Sequence, residues 1–141
     1  LYFTGQASWN SKGLDNQLER LSTRVHRMGQ VPVEDMATIY SLAQFAIYPS
    51  LFEGLGLPIL EAFQCGTPLL TSDQSSIPEV AGDGALIVDA YSVESIAQGI
   101  LKMASDAELR QRLTSSGYKQ AQLFTWEKSV KILIDVVEAN F

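Results

Sequence analysis

The stretch Phe45-Ala46-Ile47-Tyr48-Pro49-Ser50-Leu51-Phe52-Glu53-Gly54-Leu55-Gly56-Leu57-Pro58-Ile59-Leu60-Glu61 decides how this chain reads. Residues 45–48 are an apolar, strand-like run, residues 49–57 a loop carrying a glycine pair, and Pro58 a first helical residue, whose missing N–H costs no hydrogen bond there. A loop that follows a parallel strand lies at the sheet edge where α/β folds bind ligands. Gly54 and Gly56 leave backbone amides uncovered, and the helix from Pro58 aims its positive dipole end at the same place, so an anion needs no side chain there. Gly-Leu-Gly alone is a weak signal, because glycine pairs also make plain tight turns. Ile59 stands where the dinucleotide fingerprint would need a third glycine.

Glu53 opens the loop and Glu61 lies one turn into the helix. Ionised carboxylates accept hydrogen bonds from paired hydroxyls in strong geometry. They repel phosphate, so they belong at the two ends of a ligand with an anionic middle. A nucleotide-sugar has that layout, with a diphosphate between sugar hydroxyls and ribose hydroxyls. The ordinary alternative is a solvated acid at Glu53 and a first-turn glutamate at Glu61 favoured by the helix dipole. Spacing alone does not choose between them.

Outward from this stretch, strand-like runs at 2–4, 24–28, 45–48, 68–71 and 85–88 alternate with helical patterns at 12–21, 34–43, 58–65 and a short turn near 78–81. That alternation predicts parallel βαβ units, and the continuous apolar run 45–48 predicts burial on both faces. Gly66 and Pro68 stop the 58–65 helix. Ser76, before Ile77-Pro78-Glu79, reads as an N-cap, with Gly82 ending the turn. After Asp89 the pattern is helical only, at 93–104, 107–123 and 126–139, with Asp106 and Thr125 as caps. Val130, Leu133, Ile134 and Val137 recur at helical spacing as one stripe that must pack on something. Tyr40, Phe45, Tyr48 and Phe63 fit core packing better than a stacking platform. Glu79 reads as a brace of its own turn, and Asp73 and Ser72 as the end of a strand at the ligand edge.

At 141 residues, without repeats or linkers, the chain reads as one compact domain, residues 1–141, whose last helices start at about 92. A net charge of −6 without a Lys/Arg cluster argues against a nucleic-acid partner. With Cys65 and His26 each the only residue of its kind, an internal disulfide or a Cys/His metal site is excluded. Cys65 on an apolar helix face reads as a small core residue. No apolar run reaches the length of a membrane span, and no secretory or transit segment stands at the start, which makes a cytoplasmic setting the default.

The chain resembles the retaining glycosyltransferases of family 4, which have the GT-B architecture, and the likeness covers almost all of it. Leu1-Tyr2-Phe3-Thr4-Gly5 is similar to the second strand of that family's C-terminal, donor-binding domain. Arg24-Val25-His26-Arg27-Met28-Gly29-Gln30-Val31 is similar to its third strand and base-side turn, and residues 34–40 to the helix after it. Residues 50–58 with Glu61-Ala62-Phe63-Gln64-Cys65-Gly66-Thr67-Pro68 resemble its Glu-x7-Glu motif. Ser76-Ile77-Pro78-Glu79-Val80-Ala81-Gly82-Asp83 and Phe124-Thr125-Trp126 complete the order.

The resemblance implies a Rossmann-like parallel sheet flanked by helices, the C-terminal half of a GT-B enzyme that transfers a sugar from a nucleotide diphosphate-sugar to a hydroxyl acceptor. Glu53, the catalytic carboxylate, would bind donor-sugar hydroxyls and position the anomeric carbon, and Glu61 would bind the ribose hydroxyls. Amides of Gly56 and Leu57, next to Gly54, would hold the diphosphate, while those near Gln30 and Val31 face the base. Breaking the anomeric bond builds negative charge on the diphosphate, so preorganised amides there stabilise the transition state. Neither a metal nor another cofactor is implied.

This sequence departs from the family pattern in three ways. The family's Arg/Lys pair for the diphosphate lies upstream of its second strand and has no match here. The N-terminal acceptor domain is missing. So is the first strand of this half, usually central, which leaves strands one and three of this chain without their shared neighbour. Another segment supplies it, the strand order is rearranged, or an exposed edge invites a dimer. Beginning inside the run 1–5, the chain reads as part of a longer polypeptide and is expected to be inactive alone, with peripheral attachment to the inner face of a membrane left to the absent domain. The other readings are a GT-B epimerase or phosphorylase, for which acid/base groups or a cofactor lysine are not visible, and a non-catalytic nucleotide-sugar sensor or scaffold module.

Overall fold

The computed structural model describes residues 1–5, 12–21 and 23–140. In chain order the elements are β1 (Tyr2–Thr4), α1 (Lys12–Arg20), β2 (His26–Gly29), α2 (Val33–Leu42), β3 (Ala46–Tyr48), α3 (Leu57–Gln64), β4 (Leu69–Ser72), α4 (Ile77–Ala81), a 3-10 turn (Gly82–Gly84), β5 (Ala85–Val88), α5 (Val93–Ser105), α6 (Ala107–Ala121) and α7 (Trp126–Asn140). The sequence locates all of them except the 3-10 turn, whose first residue, Gly82, it takes as the end of the preceding turn; the ends of the others shift by a residue or two. β2 starts later than the strand-like run at 24–28 because the amides of Arg24 and Val25 both donate back to the Leu21 carbonyl, at 2.8 and 3.0 Å, and prolong the turn after α1.

The described chain divides into two compact units, Leu1–Ala37 and Thr38–Phe141. In the first, β1 and β2 form a parallel ladder with Tyr2 opposite His26 and Phe3 opposite Arg27, and the register slips between Phe3 and Thr4. The rings of Tyr2 and His26 stack with centroids 5.0 Å apart. In the second, β3, β4 and β5 form a parallel sheet in that order. Among the described residues β1 and β2 make one two-stranded sheet and β3, β4 and β5 one three-stranded sheet.

β4 is the centre of the larger unit. All of its residues are buried, and side chains alternate between faces along a strand. Leu69 accordingly joins a core of Ile59, Phe63, Ile77, Val80 and Ala121 from α3, α4 and the end of α6. Leu70 joins a separate core with Val88 from β5, Met103 from α5, and Leu109 and Leu113 from the first half of α6. The expectation that the run 45–48 is buried on both faces is corrected: β3 is only half-buried, with a ladder partner on one side alone among the described residues, and the fully buried strand is β4. Cys65 is likewise half-buried rather than a core residue, because α3 stops just before it.

The end of α3 is a Schellman cap: the Gly66 amide donates to the Phe63 carbonyl at 3.1 Å and the Thr67 amide to Ala62 at 2.9 Å, with Gly66 at φ 72°. Asp106 caps α6 through the Leu109 amide at 2.8 Å, and Thr125 caps α7 through Lys128 at 3.2 Å. Ser76 stands at the N-cap of α4, but its hydroxyl makes no cap hydrogen bond, contrary to the sequence reading. The stripe on α7 has no cover among the described residues: no residue of that helix is buried, and Trp126 is 82% exposed. No helix among the described residues is long and apolar enough to cross a membrane.

Phe63 fixes how closely α3, the 3-10 turn and α6 approach. A β-carbon at Gly117 would lie 2.7 Å from its ring, and one at Gly84 would lie 2.7 Å from its tip. Gly117→Ala is expected to destabilise the protein by about 1–3 kcal/mol, the usual range for overpacking a full core. Urea denaturation of the pair measures this, and an unchanged midpoint would contradict the packing described.

Candidate functional site

Pro49 ends β3. It has no N–H to donate to a ladder, and the last register pair of the β3–β4 ladder is Tyr48 opposite Thr71. Beyond that point hydroxyls replace backbone bonds. Thr71 donates to the Tyr48 carbonyl at 2.7 Å and Ser72 to the Ser50 carbonyl. Ser75 and Ser76 both donate to the Glu53 carbonyl, at 2.8 and 2.9 Å. This explains why Ser76 does not cap its own helix: its hydroxyl is engaged by the neighbouring loop. Ser75 reaches the carbonyl from φ 54°, the only positive φ of a non-glycine residue among those described, a conformation of order 1–3 kcal/mol above the ordinary wells.

The other end of the loop is set by Gly56, the buried N-cap of α3 at φ 76°, ψ 57°. That left-handed conformation favours glycine, and a β-carbon there would also stand 3.0 Å from Ile59 Cδ1. Leu57 is the first residue of α3 and Pro58 the second, so the missing N–H still falls within the turn whose donors have no intrahelical acceptor. Gly54 differs from Gly56. Its φ is not positive, and a β-carbon on it would meet nothing within 4 Å.

The structure brings both acids to tyrosines. The Tyr48 hydroxyl donates to Glu53 Oε1, and Ser50 Oγ donates to the same oxygen at 2.8 Å. The Tyr40 hydroxyl donates to Glu61 Oε2 at 3.1 Å. Those donors, Tyr48 first and Ser50 second, hold the Glu53 carboxyl below its usual range. Burial first, then the hydrogen bond to Glu53, pushes the Tyr48 phenol up to about 12. Burial and the charge of Glu61 raise Tyr40 further still. Each ring also packs against the core built on α3.

Sequence reading assigned Tyr40 and Tyr48 to the core, and for their rings it was right; the role of their hydroxyls was missed. The available signal was the residue type: a tyrosine with a buried body needs a partner for its polar tip, and an acid lies within a few residues of Tyr48 in sequence. Thr67 completes the set by donating to the Tyr40 carbonyl at 2.7 Å. Gln30 and Val31 lie in the turn between β2 and α2, in the unit Leu1–Ala37, with Gln30 exposed and Val31 half-buried. Asp73 is exposed, and its carboxylate accepts from Gln74 Nε2 at 2.6 Å. At Glu79 the carbonyl is the engaged group, accepting from Gln120 at 3.2 Å. Surface hollows of about 550 and 520 Å³ are lined by β5 with α5 and by α7, and neither includes Glu53 or Glu61 in its walls.

Comparison with known proteins adds the following. The family model described as "Glycosyl transferases group 1" matches residues 8–120. The O-antigen chain mannosyltransferase B of Escherichia coli is 40% identical over 130 residues, which are 90% of this chain and 34% of that protein. The chain thus spans about a third of that relative's length. Among solved structures, the sucrose-phosphate synthase of Thermosynechococcus elongatus matches with a TM-score of 0.85 at 24% identity, over 99% of this chain and 39% of its own. Anabaena HepE, solved in complex with UDP and glucose, matches with a TM-score of 0.81 at 19% identity, over 99% of this chain and 40% of its own. At these identities the structural matches speak for the fold.

The Tyr48–Glu53 pair sets a pH window. Glu53 is depressed, so its contribution to stability is fully present above the free carboxylate value of about 4.3 and is lost as pH falls through its lower folded value. Tyr48 is raised, so its contribution is fully present below about 10 and is lost as pH rises through about 12. In a spectrophotometric titration, Glu53→Gln is expected to move one tyrosine ionisation downward. An unchanged titration would separate the two side chains.

Proposed function

The chain belongs to the glycosyl transferases group 1 and has the α/β fold, with parallel sheets flanked by helices, of its GT-B glycosyltransferase neighbours. From that membership we propose that it is the donor-binding part of a retaining, family 4 glycosyltransferase, which transfers a sugar from a nucleotide diphosphate-sugar to a hydroxyl acceptor. The observation that carries this reading is the pair of tyrosine-bonded carboxylates, Glu53 and Glu61, on either side of a left-handed Gly56 that opens α3.

In this reading Glu61 accepts from the ribose and Glu53 from the sugar, positioning the anomeric carbon for reaction. The first amides of α3, at Gly56 and Leu57, receive the charge that builds on the diphosphate as the anomeric bond breaks. Gly54 leaves open space beside its backbone, so a ligand can approach the loop there without meeting a side chain. The nucleotide of the HepE complex supports a nucleotide donor, and the E. coli mannosyltransferase supports mannose as the first sugar to test. Residues 1–141 alone have negligible turnover, because the family's Arg/Lys pair and acceptor domain have no counterpart among them.

Titrating the full-length protein with UDP-, GDP- and ADP-sugars identifies the donor. Against that donor, Glu61→Ala is expected to weaken binding of the free nucleotide by about 1–3 kcal/mol, the range for a hydrogen-bonded charged group. Glu53→Ala is expected to weaken only the additional affinity that the sugar confers. If the first substitution leaves nucleotide affinity untouched, the ribose assignment is wrong.

A further inference from the structure

We propose that Tyr48 is a positioning residue: with Ser50 it takes up one oxygen of the Glu53 carboxylate, so that the other oxygen alone faces the donor. The proposal rests on the reading of Glu53 as the sugar-binding acid. Its geometry is independent of that reading.

Both hydroxyl donors converge on Glu53 Oε1. A carboxylate oxygen offers two lone pairs, and two donors fill them. Among the described residues Oε2 has no hydrogen bond, and Glu53 is only half-buried, so that oxygen is open to a ligand. The donors themselves are fixed. Tyr48 packs its ring against the α3 core and its carbonyl accepts from Thr71, which is fully buried. Ser50 is tied through its carbonyl to Ser72, also fully buried. The backbone of Glu53 is held by Ser75 and Ser76. The carboxylate is therefore fixed at its root and along one edge before a ligand arrives.

This arrangement has consequences for recognition. A carboxylate with both oxygens free grips a vicinal diol with one oxygen per hydroxyl. With Oε1 filled, Glu53 accepts from sugar hydroxyls only through Oε2, whose two lone pairs set the limit on recognition at this end. Glu61 is different. Tyr40 supplies one donor to Oε2, and Oε1 makes no hydrogen bond among the described residues, which leaves acceptor capacity on both oxygens for a diol.

The test is a double-substitution cycle in the full-length protein, read by calorimetric titration with whichever of UDP-glucose, GDP-mannose and ADP-glucose the wild type binds, and with the matching free nucleoside diphosphate. Tyr48→Phe keeps the ring in the core and removes only the hydroxyl. It is expected to weaken nucleotide-sugar binding about tenfold, the equivalent of one hydrogen bond to a charged group, and to leave the free diphosphate within about twofold. In the Glu53→Ala background the same change is expected to add nothing. A weakening that persists in that background shows a structural effect of Tyr48 and overturns the proposal. So does an unaffected Tyr48→Phe when Glu53→Ala is impaired. If Glu53→Ala itself binds the nucleotide-sugar normally, the sugar-binding assignment of Glu53 fails, and the positioning role fails with it. Ser50→Ala, which removes the second donor to the same oxygen, is expected to show the same coupling in smaller measure; coupling equal to zero would contradict convergence on Oε1.

Discussion

A row of side-chain hydroxyls stitches the segment of Tyr40, Tyr48, Ser50 and Glu53 to β4 and the residues just before and after it, and the placement of Glu53 depends on that row. Thr67, Thr71, Ser72, Ser75 and Ser76 each donate to a backbone carbonyl of that segment, in the same order along both stretches apart from the shared carbonyl at Glu53. Parallel strands bond through their backbones only while both offer N–H and C=O groups in register. Pro49 ends that supply, yet the chain must run on beside β4 to place Glu53. Hydroxyls take over, and because Thr67, Thr71 and Ser72 are almost completely buried, each of those bonds also satisfies a polar group that would otherwise be costly inside the core.

This explains what could and could not be read from the amino-acid sequence. Element positions were legible because apolar runs and punctuation agree: Gly66 ends α3, Asp106 and Thr125 cap the helices they precede, and each strand is a short run between such stops. Burial was less legible, since 45–48 and 68–71 are both apolar runs. Their difference lies in how many ladders each joins, a property of the sheet and not of either strand. The loop and helix start that carry Glu53 and Glu61 were legible because glycine and proline spacing are local. The tyrosines of these acids were not, because Tyr40 and Glu61 are far apart in sequence and meet only in the folded chain, and Tyr48 looks like any other aromatic residue at the end of an apolar run. Ser76 misled for the same reason. A serine before a proline-started turn is a fair cap on local grounds, and only the presence of the 49–57 loop gives its hydroxyl a different acceptor.

The larger unit also shows where its own packing stops. β4 has a hydrophobic core on each face, and α3, α4, α5 and α6 supply them. α7 contributes to neither. Its residues Val130, Leu133, Ile134 and Val137 are each about half exposed or more, although their spacing is that of a helix with one apolar side. The fold around β4 is complete without that side, so α7 contributes little burial energy to it, and the periodicity of its sequence answers to something other than the core of this unit.

Preorganisation follows from the same constraints. A loop that had to be ordered by its ligand would lose affinity to the entropy of that ordering, about 1–2 kcal/mol for each residue whose backbone is fixed. Here the root of Glu53 is held by hydroxyls at its own carbonyl and at that of Ser50, its carboxylate by Tyr48 and Ser50, and the far end of the loop by the left-handed turn at Gly56. Ser75 holds its part of this from a disfavoured backbone conformation, which the folded unit tolerates because both of its neighbours in the turn, β4 and α4, are anchored in the core. The energy stored at one exposed serine is small beside the entropy that a mobile loop would lose. It is also borne once, during folding, and not each time a ligand binds. That difference separates a glutamate that happens to lie near a helix start from one whose reach and charge are fixed in advance.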